Sequence, residues 1–191
     1  MKKVIRAGGA ATLGATLVSA TLVGAANPAS AETTATRTQV TAQSSSAQLA
    51  GLTVAGQHYQ NANSGKCLVV QGSTYGNGAF QYTCDDFDDQ KWTVRWVTQT
   101  KAQIGKVGTN LCLVVQGQSN GSGAFQYGCD SRFNDQLWYT YRDSAGRYQF
   151  ENANSNGKCL VVQGMGLGNA AFQYDCVNTF EAAKDQWWVV Y

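Results

Sequence analysis

Apolar and polar positions divide the chain into two regimes. Residues 1–31 place Lys2, Lys3 and Arg6 ahead of a stretch of small and apolar residues. Beyond residue 56 the apolar residues fall instead into short β-branched and aromatic runs, such as CLVV and AFQY, separated by Gly, Ser, Asn and Asp. Runs of that length bounded by turn formers predict strands, and no convincing helix follows residue 31. A leading run such as Tyr148-Gln149-Phe150, the CLVV and AFQY runs, and a trailing run such as Trp92 to Val97 give about four strands per unit. An all-β chain of about twelve strands is expected. Asp143-Ser144-Ala145-Gly146 is a turn by composition.

The runs belong to a triplication. CLVVQGSTYGNGAFQYTC, CLVVQGQSNGSGAFQYGC and CLVVQGMGLGNAAFQYDC align nearly letter for letter, with cysteines seventeen positions apart in each. Gln90-Lys91-Trp92, Gln136-Leu137-Trp138 and Gln186-Trp187-Trp188 follow the three segments, so the period is 45 to 50 residues. The copies span approximately residues 56–99, 100–145 and 146–191, and a unit of this length buries its apolar face against its neighbours.

What precedes the repeats is of another kind. The basic start, the apolar stretch, Pro28 and the Ala29-Ser30-Ala31 end mark residues 1–31 as a secretory signal peptide, with cleavage expected after Ala31. No other stretch is long and apolar enough to span a membrane, so no membrane insertion is expected once the leader is removed. Residues 32–55 are Thr, Ser, Ala and Gln-rich and are expected to form a flexible spacer with a short β segment at its end.

Export changes how the cysteines are read, because thiols persist in the cytosol whereas an oxidising exterior favours pairing. Six cysteines allow fifteen pairings in principle. One bridge inside each copy, Cys67 to Cys84, Cys112 to Cys129 and Cys159 to Cys176, gives every copy the same staple. A metal cluster would want close CxxC spacing instead. The formal charge of +2 rests on 14 Lys and Arg against 12 Asp and Glu. Cleavage of the leader removes three cations, so the mature chain is near minus one. With no basic run, nucleic acid is not an expected partner. His58 is the only histidine. A lone histidine with no observable partner argues against a His-bearing catalytic triad and against the common zinc sites, and no metal or other cofactor is expected. The acidic Asp85–Asp89 run lacks the alternating ligands, central Gly and closing Glu of a calcium loop, and reads as a solvated loop.

The CLxVxG start, the aromatic two positions before the second cysteine and the closing QxW, three times over, resemble the ricin B-type lectins, also classed as family 13 carbohydrate-binding modules. The resemblance covers essentially all of residues 56–191. It implies a β-trefoil, a pseudo-threefold six-stranded barrel capped by three hairpins, with a disulfide in each repeat and up to three shallow sugar sites. A sugar presents an apolar C–H face and a rim of hydroxyls, so a site needs an aromatic plate and a carboxylate or amide pair. The plate carries over to Tyr82, Tyr127 and Tyr174. The family's carboxylate, two residues after the first cysteine, is replaced by Val69, Val114 and Val161. Its usual Asn before the QxW glutamine is replaced by Asp89, Asp135 and Asp185, which suggests that the acceptor role has moved across the pocket. Gln90, Gln136 and Gln186 match the family glutamine, as a support of the site or as purely structural groups. The copy-invariant Gln71, Gln116 and Gln163 are open to either a loop hydrogen bond or a displaced ligand contact. Trp92, Trp138 and Trp188 are expected in the core.

Acidic residues at threefold-equivalent positions are a pattern of repeated binding sites, not the single asymmetric pair of an active site, so no enzyme is expected. The leading reading is a secreted, extracellular protein that binds a polysaccharide or cell-surface glycan. The alternative is a trefoil scaffold, its sugar sites lost, that binds a protein partner as an inhibitor or surface interaction protein.

Overall fold

A computed structural model describes residues 37–42 and 56–191. The expected leader lies outside the described residues, as does all of the expected spacer except residues 37–42. The repeat region is all β apart from three single-turn 3₁₀ segments, Asp88–Gln90, Asn134–Gln136 and Lys184–Gln186. Its twelve strands, four per copy, are β2 (Gln57–Asn61), β3 (Cys67–Val69), β4 (Phe80–Tyr82) and β5 (Lys91–Trp96); β6 (Lys101–Lys106), β7 (Leu111–Val114), β8 (Phe125–Gly128) and β9 (Trp138–Arg142); and β10 (Tyr148–Asn152), β11 (Lys158–Val161), β12 (Phe172–Asp175) and β13 (Trp188–Val190). One further strand, β1 (Thr38–Gln39), precedes them.

The first and fourth strands of each copy close into a six-stranded barrel. β2 pairs with β5, β5 with β6, β6 with β9, β9 with β10, β10 with β13, and β13 returns to β2, all antiparallel. Closure leaves no free edge in the ring. The remaining strands form the hairpins β3–β4, β7–β8 and β11–β12, which cap one end. Around the threefold axis Ala79 N–H donates to Ala124 O, Ala124 N–H to Ala171 O and Ala171 N–H to Ala79 O, at 2.8, 2.9 and 2.8 Å. A trefoil of three hairpin-capped repeats is therefore the fold, as the resemblance implied.

The core is threefold as well. Leu68, Leu113 and Leu160 are fully buried, and so are Trp92, Trp138 and Trp188. Each indole N–H donates to the carbonyl of its own copy's leucine, at 3.0, 3.2 and 3.4 Å, which satisfies the one polar atom of an otherwise apolar group. The expected local pairing of cysteines is the observed one: Cys67–Cys84, Cys112–Cys129 and Cys159–Cys176, each joining the start of one hairpin strand to the end of the other.

Residues 37–42 lie against the barrel. β1 pairs with β9, Thr38 opposite Arg142, and Val40 N–H donates to Thr140 O at 2.7 Å. Arg37 anchors the segment: its guanidinium bonds Gln149 at 2.5 Å and Glu151 at 3.1 Å and sits 3.7 Å over the ring centre of Tyr141. A short β segment thus stands near the beginning of the spacer interval, secured by a side chain that composition gave no reason to single out.

Candidate functional site

The loop joining the two strands of each hairpin turns at Gly76, Gly121 or Gly168, all at φ between 76° and 84°, where a Cβ is strained. Each loop reaches over the next copy and is held there by that copy's glutamine. Gln126 Nε2 donates to Gly72 O and Thr74 O, at 3.1 and 2.8 Å, while Gly76 N–H donates to Gln126 O at 2.8 Å. Gln173 does the same for Gly117 and Ser119, and Gln81 for Gly164 and Gly166. All three glutamines are fully buried. The strand that carries each tyrosine plate is therefore roofed by the loop tip of the preceding copy.

The expected plates are at the surface. Tyr82, Tyr127 and Tyr174 are 42%, 43% and 42% exposed, a near-identical presentation in three copies. The QxW glutamines lie beneath them. Gln136 is buried, donates to Gly128 O at 2.9 Å and accepts from Asp130 N–H at 2.8 Å; Gln90 and Gln186 repeat this with Thr83 and Asp85, and with Asp175 and Val177. Their amides are committed to the residues on either side of the second cysteine. Val69, Val114 and Val161 are buried, so the position where the resemblance expects a carboxylate is apolar wall.

Asp89, Asp135 and Asp185 are half-buried at the base of the site. Their carbonyls accept from Val70, Val115 and Val162 N–H, which ties this turn to the third residue after each first cysteine. Oδ1 of Asp89 and of Asp135 is buried with no hydrogen-bond partner among the described residues. Burial pushes the carboxyls of Asp135 and Asp185 above the usual carboxylate range, opposed by N–H groups of the aspartate itself and of the following glutamine.

These groups converge best in the second copy, around a surface cleft of about 390 Å³. Tyr127 and Tyr75 wall it, their ring centres 4.6 Å apart and tilted by 39°. Gln116, Asn110 and Phe133 contribute to the rim and Asp135 to the floor. Asp130 is neutralised from outside by Arg132, whose guanidinium bonds both carboxylate oxygens and holds that carboxyl down at about 2. The sequence pattern brings Tyr127, Asp135 and Gln136 here. Tyr75 and Asn110 escaped it because they occur in one copy only, and Phe133, three positions before its QxW glutamine like Phe87, because the third copy has Ala183 there. Gln116 is exposed and lines the cleft with the tyrosine, and its carbonyl accepts from Asn154 Nδ2 at 2.9 Å.

Comparison with known proteins agrees with this architecture. ThreeFoil, a designed 3-fold symmetric protein, superposes with a TM-score of 0.64 at 22% identity, over 71% of this chain and 96% of its own. The Macrolepiota procera ricin B-like lectin, solved in complex with lactose, gives 0.58 at 15% identity, over 78% of this chain and 98% of its own. An exo-beta-1,3-galactanase from Clostridium thermocellum gives 0.65 at 22%, over 72% of this chain but only 30% of the enzyme. A search of curated proteins found none that matches. The model of the ricin-type beta-trefoil lectin domain matches residues 54–146 and again 100–191, so the two matches span every repeat. By that match and by its fold, this chain belongs to the ricin-type β-trefoil lectin domain family.

Proposed function

We propose that the protein is a secreted carbohydrate-binding protein that recognises glycan or polysaccharide through the tyrosine-bearing faces of its repeats and catalyses no reaction on it. The observation that carries this reading is the pairing, in one cleft, of the exposed Tyr127 ring with the half-buried carboxylate of Asp135. An apolar plate takes the C–H face of a pyranose, and a carboxylate at the cleft floor takes a hydroxyl. The relocation of the acceptor from the valine position to the aspartate before the QxW glutamine is supported by that geometry. A carboxylate at the floor favours neutral sugars, since an acidic sugar would set like charges together. Export is supported by the leader-like residues 1–31 and by three disulfides, which persist in oxidising surroundings. Weak sites repeated on one body gain avidity on a polymeric ligand.

A glycan array probed with residues 32–191 tests the reading. Retention on neutral glycans, lactose among the probes, is expected, competed by free sugar and lost in the triple variant Tyr82→Ala, Tyr127→Ala, Tyr174→Ala. No retention on any glycan at high protein concentration sinks the proposal and leaves the protein-binding scaffold in its place.

A further inference from the structure

We infer that Tyr75, carried by the hairpin loop of the first repeat, is the second aromatic wall of the saccharide cleft in the second repeat and makes that cleft the dominant one of the three. This rests on the carbohydrate reading and goes beyond it by ranking the sites and naming a specificity-determining residue outside the repeat it serves.

Three features make the contact a built one. Gln126 fixes the backbone on both sides of Tyr75 through Gly72, Thr74 and Gly76, so the ring is delivered by a secured loop. Gly128 leaves the space: a Cβ at that position would stand 3.1 Å from the Tyr75 hydroxyl and 3.4 Å from the ring carbon that bears it. The equivalent positions hold Thr83 and Asp175, so only the second copy clears this room. Finally, Tyr75 is 58% exposed although it touches Tyr127, which leaves both rings available on the cleft side.

The same loop position meets different partners in the other two copies. Asn120 roofs the third repeat and donates to Asp175 Oδ2 at 2.7 Å, while Lys158 pairs with the other oxygen of that carboxylate. That rim is occupied by its own polar network. The third repeat also lacks a counterpart of Phe133: three positions before its QxW glutamine it has Ala183, where the second copy has Phe133 and the first an exposed Phe87. Leu167 roofs the first repeat; it is apolar and 53% exposed but offers no flat ring. Among the described residues a tyrosine plate therefore meets a ring from the preceding copy's loop in one site only, Phe80 standing edge-on to Tyr82 within the first copy, and a ring stacked on a sugar gains from a second face what a single plate cannot supply.

The experiment is a titration of wild type and single variants against the neutral glycan that the array ranks first, with thermal melts to check folding. Tyr75→Ala is expected to weaken binding about three- to tenfold or more, from the usual size of an aromatic contact. Asn120→Ala and Leu167→Ala are expected to stay within about twofold. Gly128→Thr, which installs the first copy's residue, should cost as much as Tyr75→Ala by pushing the ring aside. Tyr75 and Gly128 are on the surface loop and the strand end, so melting temperatures should hold. If Tyr127→Ala abolishes binding while Tyr75→Ala and Gly128→Thr bind like wild type, the inference is overturned and the carbohydrate reading stands. If the wild type retains no glycan, both fall together. Equal losses on altering Tyr75, Asn120 and Leu167 would also overturn it, by making the three sites equivalent.

Discussion

The inner layer of the trefoil and its outer rim treat the three copies in opposite ways. Inside, Leu68, Leu113 and Leu160, the three QxW tryptophans and the ring of alanines at the axis are repeated in identity, burial and hydrogen bonding. At the rim, loop positions 75, 120 and 167 hold Tyr, Asn and Leu and meet different neighbours in each copy. Close packing about a threefold axis admits few solutions, so a substitution there is felt by one of three matched layers. An exposed loop tip carries no such constraint and is free to differ, and binding chemistry is found where that freedom is.

The largest test of the matched interior is to empty one layer of it. Trp138→Ala removes a fully buried indole and leaves Leu113 O without its donor, and should lower stability by about 3–5 kcal/mol. Trp92→Ala and Trp188→Ala should cost about the same, read by urea unfolding of each single variant. A spread much wider than that range would show that the interior is threefold in form but not in energy.

Lys106 gives a smaller and sharper test, because it is a place where the inner layer itself departs from symmetry, as it does two positions earlier with Tyr59, Ile104 and Phe150. Its counterparts Asn61 and Asn152 donate to Asp185 O and Asp135 O, at 2.8 and 3.1 Å. Lys106 instead extends its ammonium to Val70 O and Gly72 O, at 2.6 and 2.5 Å, and burial lowers its pKa while the nearby Asp89 opposes that. Lys106→Met strands those carbonyls and should cost about 1–3 kcal/mol. Lys106→Asn restores the group the other copies use, and should cost clearly less. Equal losses in the two variants would mean that the copies are not interchangeable even at this depth.

The division between interior and rim also explains what could be read from the sequence. Strand count and local disulfides were legible because each rests on a pattern within one copy, repeated three times; the trefoil and its buried tryptophans followed from the resemblance those patterns carry. Gln81, Gln126 and Gln173 were visible as repeated letters, but their task, clamping the loop of the preceding copy, is a contact between copies that no within-copy alignment displays. Tyr75 was harder still, being unrepeated and some fifty positions from Tyr127. Asp89, Asp135 and Asp185 were legible as a replacement of one acceptor by another. Their burial, which sets their chemistry, depends on the turn folding back onto the first hairpin strand.

That burial yields the smallest and most discriminating effect. The carboxyl of Asp135 is raised in the folded protein, first by desolvation. A group whose folded value lies above its unfolded one contributes stability at low pH and loses it as pH rises through the folded value, so the charged Asp135 is a cost at neutral pH. Asp135→Asn removes that cost. It should raise stability slightly at pH 7, by well under about 1 kcal/mol for a group this open to solvent, read as a small rise in melting temperature, and the gain should fade below the usual carboxylate range. Asp185→Asn should show the same signed pH dependence, since the same desolvation acts there. The two variants part company in affinity. Asp135→Asn should weaken glycan binding because the cleft beside Tyr75 and Tyr127 loses its charged acceptor, whereas Asp185→Asn should leave it unchanged, the rim above it being tied up by Asn120, Asp175 and Lys158. Matched stability shifts with unmatched affinities would separate the symmetric scaffold from its asymmetric site; matched affinities would return the carboxylates to the scaffold alone.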